Sequence, residues 1–438
     1  MNPVESRSRR LAVSSIAALA AAALVAGCGG GGSTGSSGAD GNTLTLWTHN
    51  AGNAAEYGVV KQVVKDFNAS QSTYKVKIQA FPQGSYNDSV VAAASARKLP
   101  CLLDVDGPNV PNWAWGGYLA PLDLSKGQVA VKDQLPSTVG TYQNKTYASG
   151  FYDVALTLYS RKSVLKKYDI RVPTLDKPWT KAEFTDALAK IKAGGTFKNA
   201  LDLGTGDPGE WWPYAYSPML QSFGGDLIDR STYKTAKGAL NGDKAVEWGK
   251  WFRSLVTKGD APQKSSKSPG DDFRNGKTAI QWDGSWSAQA NIDKFGSDLA
   301  ILPPVDFGNG PKIGGASWQW AMSSTCSNKA GAQAYLNFSR QTKYFVDFAK
   351  ATGTIPATDA AAQQVKGYET GGQFNIFLKE AQKFAVVRPV TPAYPYISTV
   401  FSKTAMDILA GADVKGALDQ AVSQIDNNLS TSNYATGS

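Results

Sequence analysis

The chain has a single histidine, His49, among its 438 residues. Ser-His-Asp and Cys-His catalytic groups need a histidine, and many zinc sites need two, so one imidazole excludes most of these schemes. The chain instead has 12 Trp, 18 Tyr and 17 Phe. Abundant aromatic side chains with almost no histidine favour ligand binding over catalysis. We therefore expect no enzyme activity, no metal and no cofactor.

Dense basic runs and long apolar runs are also lacking. Lysines are spread along the whole chain despite a net charge of +9, so nucleic acid is not expected as a partner. After residue 26 there is no apolar stretch of the roughly 20 residues that a membrane helix needs. Cysteine is scarce, with only Cys28, Cys101 and Cys326 present.

Residues 1–27 predict a lipoprotein signal peptide. Basic residues precede an apolar run over residues 11–26 that matches a signal-peptide core and is shorter than a membrane span. Small residues stand just before Cys28, and residues 28–42 are rich in Gly and Ser, as a flexible tether is. The pattern resembles the bacterial lipoprotein signal, in which Cys28 receives the lipid. The alternative is an ordinary secretory signal with an incidental cysteine.

Cleavage before Cys28 would leave an exported chain, anchored by lipid on the outer face of the cell membrane. Loss of three Arg and one Glu with the signal lowers the net charge from +9 to +7. The compartment is oxidising, so a disulfide between Cys101 and Cys326 is a hypothesis, although sequence does not show that they meet.

Periodicity predicts alternating strands and helices in the first part of the mature chain. The strand at residues 74–80 alternates strictly, and the helix at 56–68 has one apolar face. The predicted order is strand 43–47, helix 56–68, strand 74–80, helix 85–98 and strand 101–105. This order favours a parallel sheet flanked by helices.

A second region begins near residue 150. Thr180 and Glu183 form a capping-box pattern that opens a helix. The other predicted elements are strands at 155–160, 278–282, 297–302 and 317–323, and helices at 243–257, 328–339, 374–384, 395–410 and 414–429. We interpret the whole as two α/β lobes with more than one chain crossing between them.

Five segments in order resemble the extracellular solute-binding proteins of ABC sugar importers, the group that includes maltose-binding protein. They span nearly the whole mature chain. The segments are LTLW at 44–47 followed by THN; Tyr86 with KLP at 98–100 and a strand to Asp106; GFYD at 150–153; FRNGKTAI at 273–280 with GSW at 284–286; and GGASW at 314–318 with SNK at 327–329. Cys101 departs from the pattern, because an acidic residue commonly follows that proline.

The resemblance implies a type II periplasmic-binding-protein fold. Each lobe would be a mostly parallel sheet flanked by helices, and crossing strands would form a hinge. We expect one lobe to comprise residues 43–149 plus 312–360, and the other 150–311 plus 361–438. The implied protein is a monomer that captures a di- or oligosaccharide between its lobes and delivers it to an ABC permease.

The resemblance also implies which residues contact the sugar. A pyranose has apolar faces and a hydroxyl rim, so it needs aromatic rings together with polar side chains. The ligand-binding candidates are Asn50, Tyr86, Asp106, Asp153, Trp211, Trp212, Tyr214, Trp286, Gly315, Trp318 and Arg388.

Each candidate also has a structural interpretation. Trp286 is the leading stacking residue, but a core Trp behind a tight turn would give the same pattern. The aromatics at 211–214 could pack a helix, while Asp106 and Asp153 could serve as structural hydrogen-bonding groups. We expect His49 to be a hydrogen-bonded residue at the edge of the cleft.

Two other functions fit parts of this pattern. A secreted glycoside hydrolase also combines aromatics with carboxylates. A binding protein for a polyol or glycerophosphodiester would favour cationic contacts over aromatic rings, so the number of tryptophans argues against it. Sequence does not name the sugar.

Replacement of Cys28 by Ala tests the anchor. We expect Cys28→Ala to leave the signal uncleaved or to release the protein from membranes, because the thiol that carries the lipid is gone. Fractionation of cells followed by mass spectrometry of the N-terminus measures both effects. Normal processing together with membrane retention would contradict the anchor.

Overall fold

The computed structural model describes residues 41–207, 209–266, 270–432 and 434. The predicted signal peptide, Cys28 and nearly all of the tether lie outside the described residues. Within the described part of the chain, no helix is both long and apolar enough to cross a bilayer.

The first region builds one half of the fold. β1 alternates between buried and partly exposed side chains up to Trp47, and then buries residues 48–50 in succession. Asn53 caps the following helix by accepting from the backbone N–H of Glu56. The elements are β1 (Thr43–Ala51), α1 (Ala54–Ser70), β2 (Lys75–Pro82), α2 (Gln83–Ser95), β3 (Leu102–Asp106), α3 (Val110–Trp115), β4 (Leu119–Ala120), β5 (Val139–Tyr142) and β6 (Lys145–Ser149).

The second region builds the other half. The predicted capping box is present, with reciprocal bonds between Thr180 and Glu183. The elements are β7 (Tyr152–Asp153), β8 (Leu156–Arg161), α4 (Lys162–Lys167), α5 (Lys181–Ala193), β9 (Asn199–Asp202), α6 (Trp211–Phe223), α7 (Asp243–Thr257), α8 (Asp271–Arg274), β10 (Thr278–Gly284), α9 (Ala288–Phe295), β11 (Leu299–Leu302) and β12 (Ile313–Gly315).

The remaining chain contributes to both halves. α11 packs on α1, whereas α14 packs on α6, α7 and α15. The elements are β13 (Trp318–Ser323), α10 (Lys329–Ser339), α11 (Thr342–Thr352), β14 (Ile355–Pro356), α12 (Asp359–Ala362), α13 (Asn375–Phe384), β15 (Ala385–Val387), α14 (Tyr394–Ala410) and α15 (Val414–Thr431).

Two larger sheets organise these elements. The first has the strand order β2-β1-β3-β13-β6-β5, with β4 also pairing with β13, and the second has the order β11-β8-β10-β9. Each sheet is buried by helices from its own half, as in the expected two-lobed α/β fold. Strands of residues 43–149 and 318–323 form the first sheet, and strands of residues 156–302 form the second. The lobe boundaries remain a prediction, and β12, placed by sequence in the first lobe, packs on α6 and pairs with β15.

Strand direction differs from the expectation of mostly parallel sheets. β1 is parallel to β2 and β3, but β13 runs antiparallel to β3, β4 and β6. In the second sheet β9 and β10 are parallel, whereas β8 is antiparallel to β10 and β11. Both sheets are therefore mixed, because strands beside the crossing points enter from the opposite end.

Two short ladders join segments that are distant in sequence. β7 pairs with β14, and β12 pairs with β15. These strands lie where the chain passes between the halves, and they are the counterpart of the expected hinge. Sequence periodicity missed them because strands of two or three residues carry almost no pattern.

Several boundaries also differ from the prediction. The strand predicted at 43–47 continues to Ala51, and the helix predicted at 85–98 ends at Ser95. Arg97 has a φ of 56°, a left-handed conformation that a helix does not continue through. The hairpin of β5 and β6 was not predicted.

A disulfide links Cys101 to Cys326. Cys101 stands just before β3 and Cys326 just after β13. These strands are antiparallel neighbours in which Leu102 pairs with Met322, so the two cysteines lie at the same end of the sheet. The bond therefore ties together chain segments separated by 225 residues.

Removal of the disulfide should destabilise the protein. Replacing both cysteines with Ser in a chain that begins after Cys28 frees a loop of over 200 residues, and should lower the unfolding free energy by roughly 4–5 kcal/mol. Denaturant unfolding measures the change. Thiol titration of the denatured, unreduced parent should find no free thiol, and two thiols per chain would contradict the bond.

Candidate functional site

Three candidate residues meet at one edge of the first sheet. Asn50 lies near the end of β1 and Asp106 ends β3, a parallel neighbour. Trp318 begins the antiparallel β13 and pairs with Asp106. The carboxyl ends of parallel strands share one edge, which is where open α/β sheets bind their ligands.

Three aromatic side chains cluster beside the second sheet. Trp286 lies in the turn just after β10, and Trp211 and Tyr214 lie in the first turn of α6. Their ring centroids are 6.1–6.2 Å apart. Trp286 is 36% exposed and Trp211 is half-buried. We call these three residues the aromatic cluster.

Glycine is required beside the aromatic cluster. The six-membered ring of Trp286 lies against the Cα of Gly284, where an added Cβ would come within 2.1 Å of the indole. Gly314 approaches Tyr214 in the same way, with 2.7 Å from an added Cβ to the ring. Larger residues at either position would displace the aromatic ring.

Arg388 connects the two halves of the protein. Its Nη1 donates to Glu210 Oε1 at 2.7 Å and its Nη2 donates to the carbonyl of Ala316 at 3.0 Å. Nη2 also lies 3.6 Å from Asp106 Oδ1, and the guanidinium carbon lies 5.2 Å from the ring centroid of Tyr214. A buried cation thus joins the end of β3, the start of α6 and the aromatic cluster.

Glu210 has further partners from α14. Tyr394 donates to Oε1, and the hydroxyl of Ser398 donates to Oε2 at 2.6 Å. With Arg388 the carboxylate receives three charge-assisted or hydroxyl hydrogen bonds. We call Arg388, Glu210 and Asp106 the charged network.

Burial controls the acidity of two candidate carboxyl groups. Desolvation raises the pKa of Asp106 to about 6, although the nearby Arg388 opposes the shift. Desolvation likewise raises the pKa of Asp153 to about 6, against hydrogen bonds from Ser137 and the backbone N–H of Val154. Asp153 lies in β7, at the crossing between the halves, and not at a sheet edge.

The backbone is strained next to Arg388. Ala316 has a φ of 75°, which costs a non-glycine residue of the order of 1 kcal/mol. Gly315, just before it, pairs with Val387 in the ladder of β12 and β15. The ladder and the hydrogen bond from Arg388 hold the Ala316 carbonyl in place.

A second cluster of polar side chains lies around His49. Its Nδ1 lies 2.8 Å from Asp104 Oδ2, and its Nε2 lies 3.6 Å from Glu56 Oε2. Burial lowers the pKa of His49, but the hydrogen bonds and negative charges of Asp104 and Glu56 outweigh that effect and raise the pKa to about 9. The imidazole ring is stacked on Trp318, with centroids 3.7 Å apart.

A family model described as bacterial extracellular solute-binding protein matches residues 62–374. The match covers most of the chain and includes strands of both sheets. This protein belongs to that family.

Curated relatives have different ligands in their names. The diacetylchitobiose binding protein DasA of Streptomyces coelicolor is 24% identical over 340 residues, covering 75% of this chain and 76% of that protein. The sn-glycerol-3-phosphate-binding periplasmic protein UgpB of Rhizobium meliloti is 27% identical over 410 residues, covering 86% of this chain and 91% of that protein.

Solved structures share the fold. The GacH receptor of Streptomyces glaucescens, crystallised unliganded and with acarbose, superposes with a TM-score of 0.72 at 21% identity, over 90% of this chain and 99% of that one. Lmo0181 from Listeria monocytogenes, in complex with cycloalternan, gives a TM-score of 0.74 at 16% identity, over 89% and 99%. At these identities the likeness concerns the fold alone.

Two of the ligand-binding candidates in this solute-binding protein have structural roles in the fold. Tyr86 is fully buried, and its hydroxyl donates to the backbone carbonyls of Trp47 and Asp104. Trp212 is also buried, with its Nε1 donating to the carbonyl of Asp207. Both were predicted to contact ligand, but their polar atoms are occupied by the backbone.

Sequence reasoning missed several partners. Glu210, Tyr394 and Ser398 were not candidates, nor was Glu56. Glu210 directly precedes the selected Trp211, which is the one signal that could have found it. The others are brought in by packing between distant elements.

Removal of Arg388 should destabilise this solute-binding protein most at neutral pH. Arg388→Met leaves Asp106 and Glu210 without their cation, and should lower the unfolding free energy at pH 7.5 by about 3 kcal/mol. The folded-state pKa of Asp106 is about 6 against an ordinary 3.8. Protonated Asp106 therefore stabilises the fold at low pH, and this contribution is lost as the pH rises through 6.

The loss of unfolding free energy caused by Arg388→Met should therefore be smaller at pH 5, where Asp106 is mostly protonated. Denaturant unfolding at both pH values measures it. Lys403→Met is the control, since Lys403 pairs with Asp407 on the surface and should cost less than about 1 kcal/mol. Equal losses from the two variants would contradict a structural role for the charged network.

Proposed function

We propose that this protein captures a carbohydrate, a di- or oligosaccharide, between its two halves and delivers it to an ABC permease. The observation that carries the proposal is the aromatic cluster standing against the charged network. Trp286 and Trp211 offer partly exposed rings, and the third ring of the cluster, Tyr214, lies 5.2 Å from the guanidinium carbon of Arg388. No covalent chemistry is involved.

The chemistry of a sugar ring fits this combination. The C–H face of a pyranose packs on an indole, and each hydroxyl both donates and accepts hydrogen bonds. Carboxylates accept from such hydroxyls and a guanidinium donates to them. Relatives and neighbours whose names include diacetylchitobiose, acarbose and cycloalternan support the same ligand class.

A glycerol-phosphate ligand is the second candidate, because relatives include UgpB. A phosphate group needs cations that are free to receive it. Arg388 is already paired with Glu210 at 2.7 Å and lies 3.6 Å from Asp106. The two carboxylates would repel a phosphate placed there, so the charged network favours an uncharged sugar.

Glycoside hydrolysis is the third candidate. Such enzymes need one carboxyl as proton donor and a second as nucleophile or base. Here Asp106 and Glu210 both face the guanidinium of Arg388. This arrangement suits hydrogen bonding to a ligand. We propose that the protein has no hydrolase activity, and release of reducing sugar from oligosaccharides in an assay would contradict this.

The proposed setting is the outer face of the cell membrane, with a lipid on Cys28 as the anchor. The acyl chain would keep the binding domain near its permease while the residue 28–42 tether gives it reach. The partners are then the carbohydrate, the permease subunits and the lipid bilayer. We propose that the binding domain acts as a monomer.

A ligand screen followed by mutation of Trp286 tests the function. Thermal shift against neutral oligosaccharides and glycerol 3-phosphate should give stabilisation by an oligosaccharide alone. Trp286→Ala should then raise the dissociation constant of that ligand, measured by calorimetry, by roughly 5- to 150-fold, since it removes a stacking surface worth about 1–3 kcal/mol. Its melting temperature should change little because the ring is 36% exposed.

Trp115→Ala is the matched control. Trp115 is 40% exposed and contacts Tyr434 with ring centroids 4.9 Å apart, and it takes no part in the ring contacts of the aromatic cluster. It should leave affinity unchanged. A large fall in melting temperature with unchanged affinity for Trp286→Ala would assign that residue to packing, and stabilisation by glycerol 3-phosphate alone would contradict the sugar.

A further inference from the structure

His49 is held from two sides. On one side Asp104 Oδ2 accepts from the hydroxyl of Thr48 at 2.6 Å and from the backbone N–H of His49 at 3.1 Å, and it lies 2.8 Å from Nδ1. On the other side Nε2 lies 3.0 Å from the amide nitrogen of Asn50 and 3.6 Å from Glu56 Oε2. A single carboxylate oxygen thus fixes both the backbone and the ring of His49.

Glu56 is itself fixed in place. Tyr152 donates to Oε1 at 2.7 Å and the amide of Asn53 donates to Oε2 at 2.9 Å. The imidazole, which is 3% exposed, therefore lies between two anchored carboxylates from β3 and α1. A ring with so many restraints has one orientation.

Trp318 lies flat on that ring. The interplanar angle between the indole and the imidazole is 10° at a centroid separation of 3.7 Å. An aromatic face against a cationic ring is attractive through the ring quadrupole. Trp318 is half-buried and stands opposite Asp106 at the sheet edge, so part of its surface is open where the ligand is proposed to bind.

We propose that His49 is a positioning residue for carbohydrate binding: the imidazole, oriented by Asp104 and Glu56, holds the Trp318 indole in the plane in which it receives an apolar sugar face. The inference rests on the proposed function. It gives the single histidine a role in affinity that it exerts through Trp318, without touching the ligand. A purely structural His49 would serve stability alone.

The stack can be observed without any ligand. His49 is the only histidine, so a protein purified without a histidine tag gives one set of imidazole NMR signals. Ring current from the indole should shift the imidazole carbon-bound protons upfield in the parent. Trp318→Leu should return them toward their ordinary position, and an unshifted signal in the parent overturns the inference whatever the ligand.

A double-mutant cycle on affinity tests the role. His49→Gln keeps a polar side chain beside Asp104 but removes the flat ring. It should raise the Kd of the oligosaccharide identified by the screen by about tenfold. In a Trp318→Leu background the same change should alter Kd by less than about twofold, because the residue it acts through is gone. Equal losses in both backgrounds overturn the inference.

Tyr344→Phe controls for stability. Tyr344 donates to Asp66 at 2.9 Å, remote from the sheet edge, and its loss should lower the melting temperature without changing Kd. If His49→Gln fails to fold, His49→Asn and the NMR comparison decide. Unchanged affinity in a folded His49 variant contradicts this inference alone, whereas a parent that binds no carbohydrate contradicts the proposed function and this role with it.

Discussion

Pairing of one buried guanidinium is the constraint on which the rest of the site depends. Arg388 is 5% exposed, and a buried charge without partners is prohibitively unfavourable. Its partners come from distant parts of the chain, namely Asp106 of the first sheet, Glu210 before α6 and the carbonyl of Ala316. Satisfying one side chain therefore brings together the strand ends of one half and the aromatic cluster of the other.

The same constraint organises the surrounding backbone. The carbonyl of Ala316 accepts from Arg388 while Ala316 has a left-handed φ of 75°, and the short ladder of β12 and β15 fixes Gly315 immediately before it. Glu210 is fixed by Tyr394 and Ser398 of α14. Strain at Ala316 is thus offset in part by the hydrogen bond that its carbonyl accepts from Arg388.

Sequence predicted local features well and pairings between distant elements poorly. The capping box at Thr180 and the amphipathic α1 depend on neighbouring residues, and both are confirmed. The mixed strand direction depends on which strands become neighbours, which periodicity does not encode. Tyr86 was selected because its segment resembles the family, and sequence does not distinguish an aromatic in the core from one at a binding site. Glu56 gave no signal until folding placed it near His49.

The balance of donors and acceptors points to the class of ligand. Glu210 and ionised Asp106 can only accept hydrogen bonds. Both terminal nitrogens of Arg388, the strongest nearby donor, already donate to Glu210 and to the carbonyl of Ala316, and only its Nε has no hydrogen-bond partner among the described residues. A ligand that enters beside them must therefore supply hydrogen-bond donors of its own. Sugar hydroxyls do so, whereas a phosphate brings only acceptors and negative charge. The aromatic cluster adds an apolar face for the ring, so the polar and apolar halves of the site favour the same molecule for independent reasons.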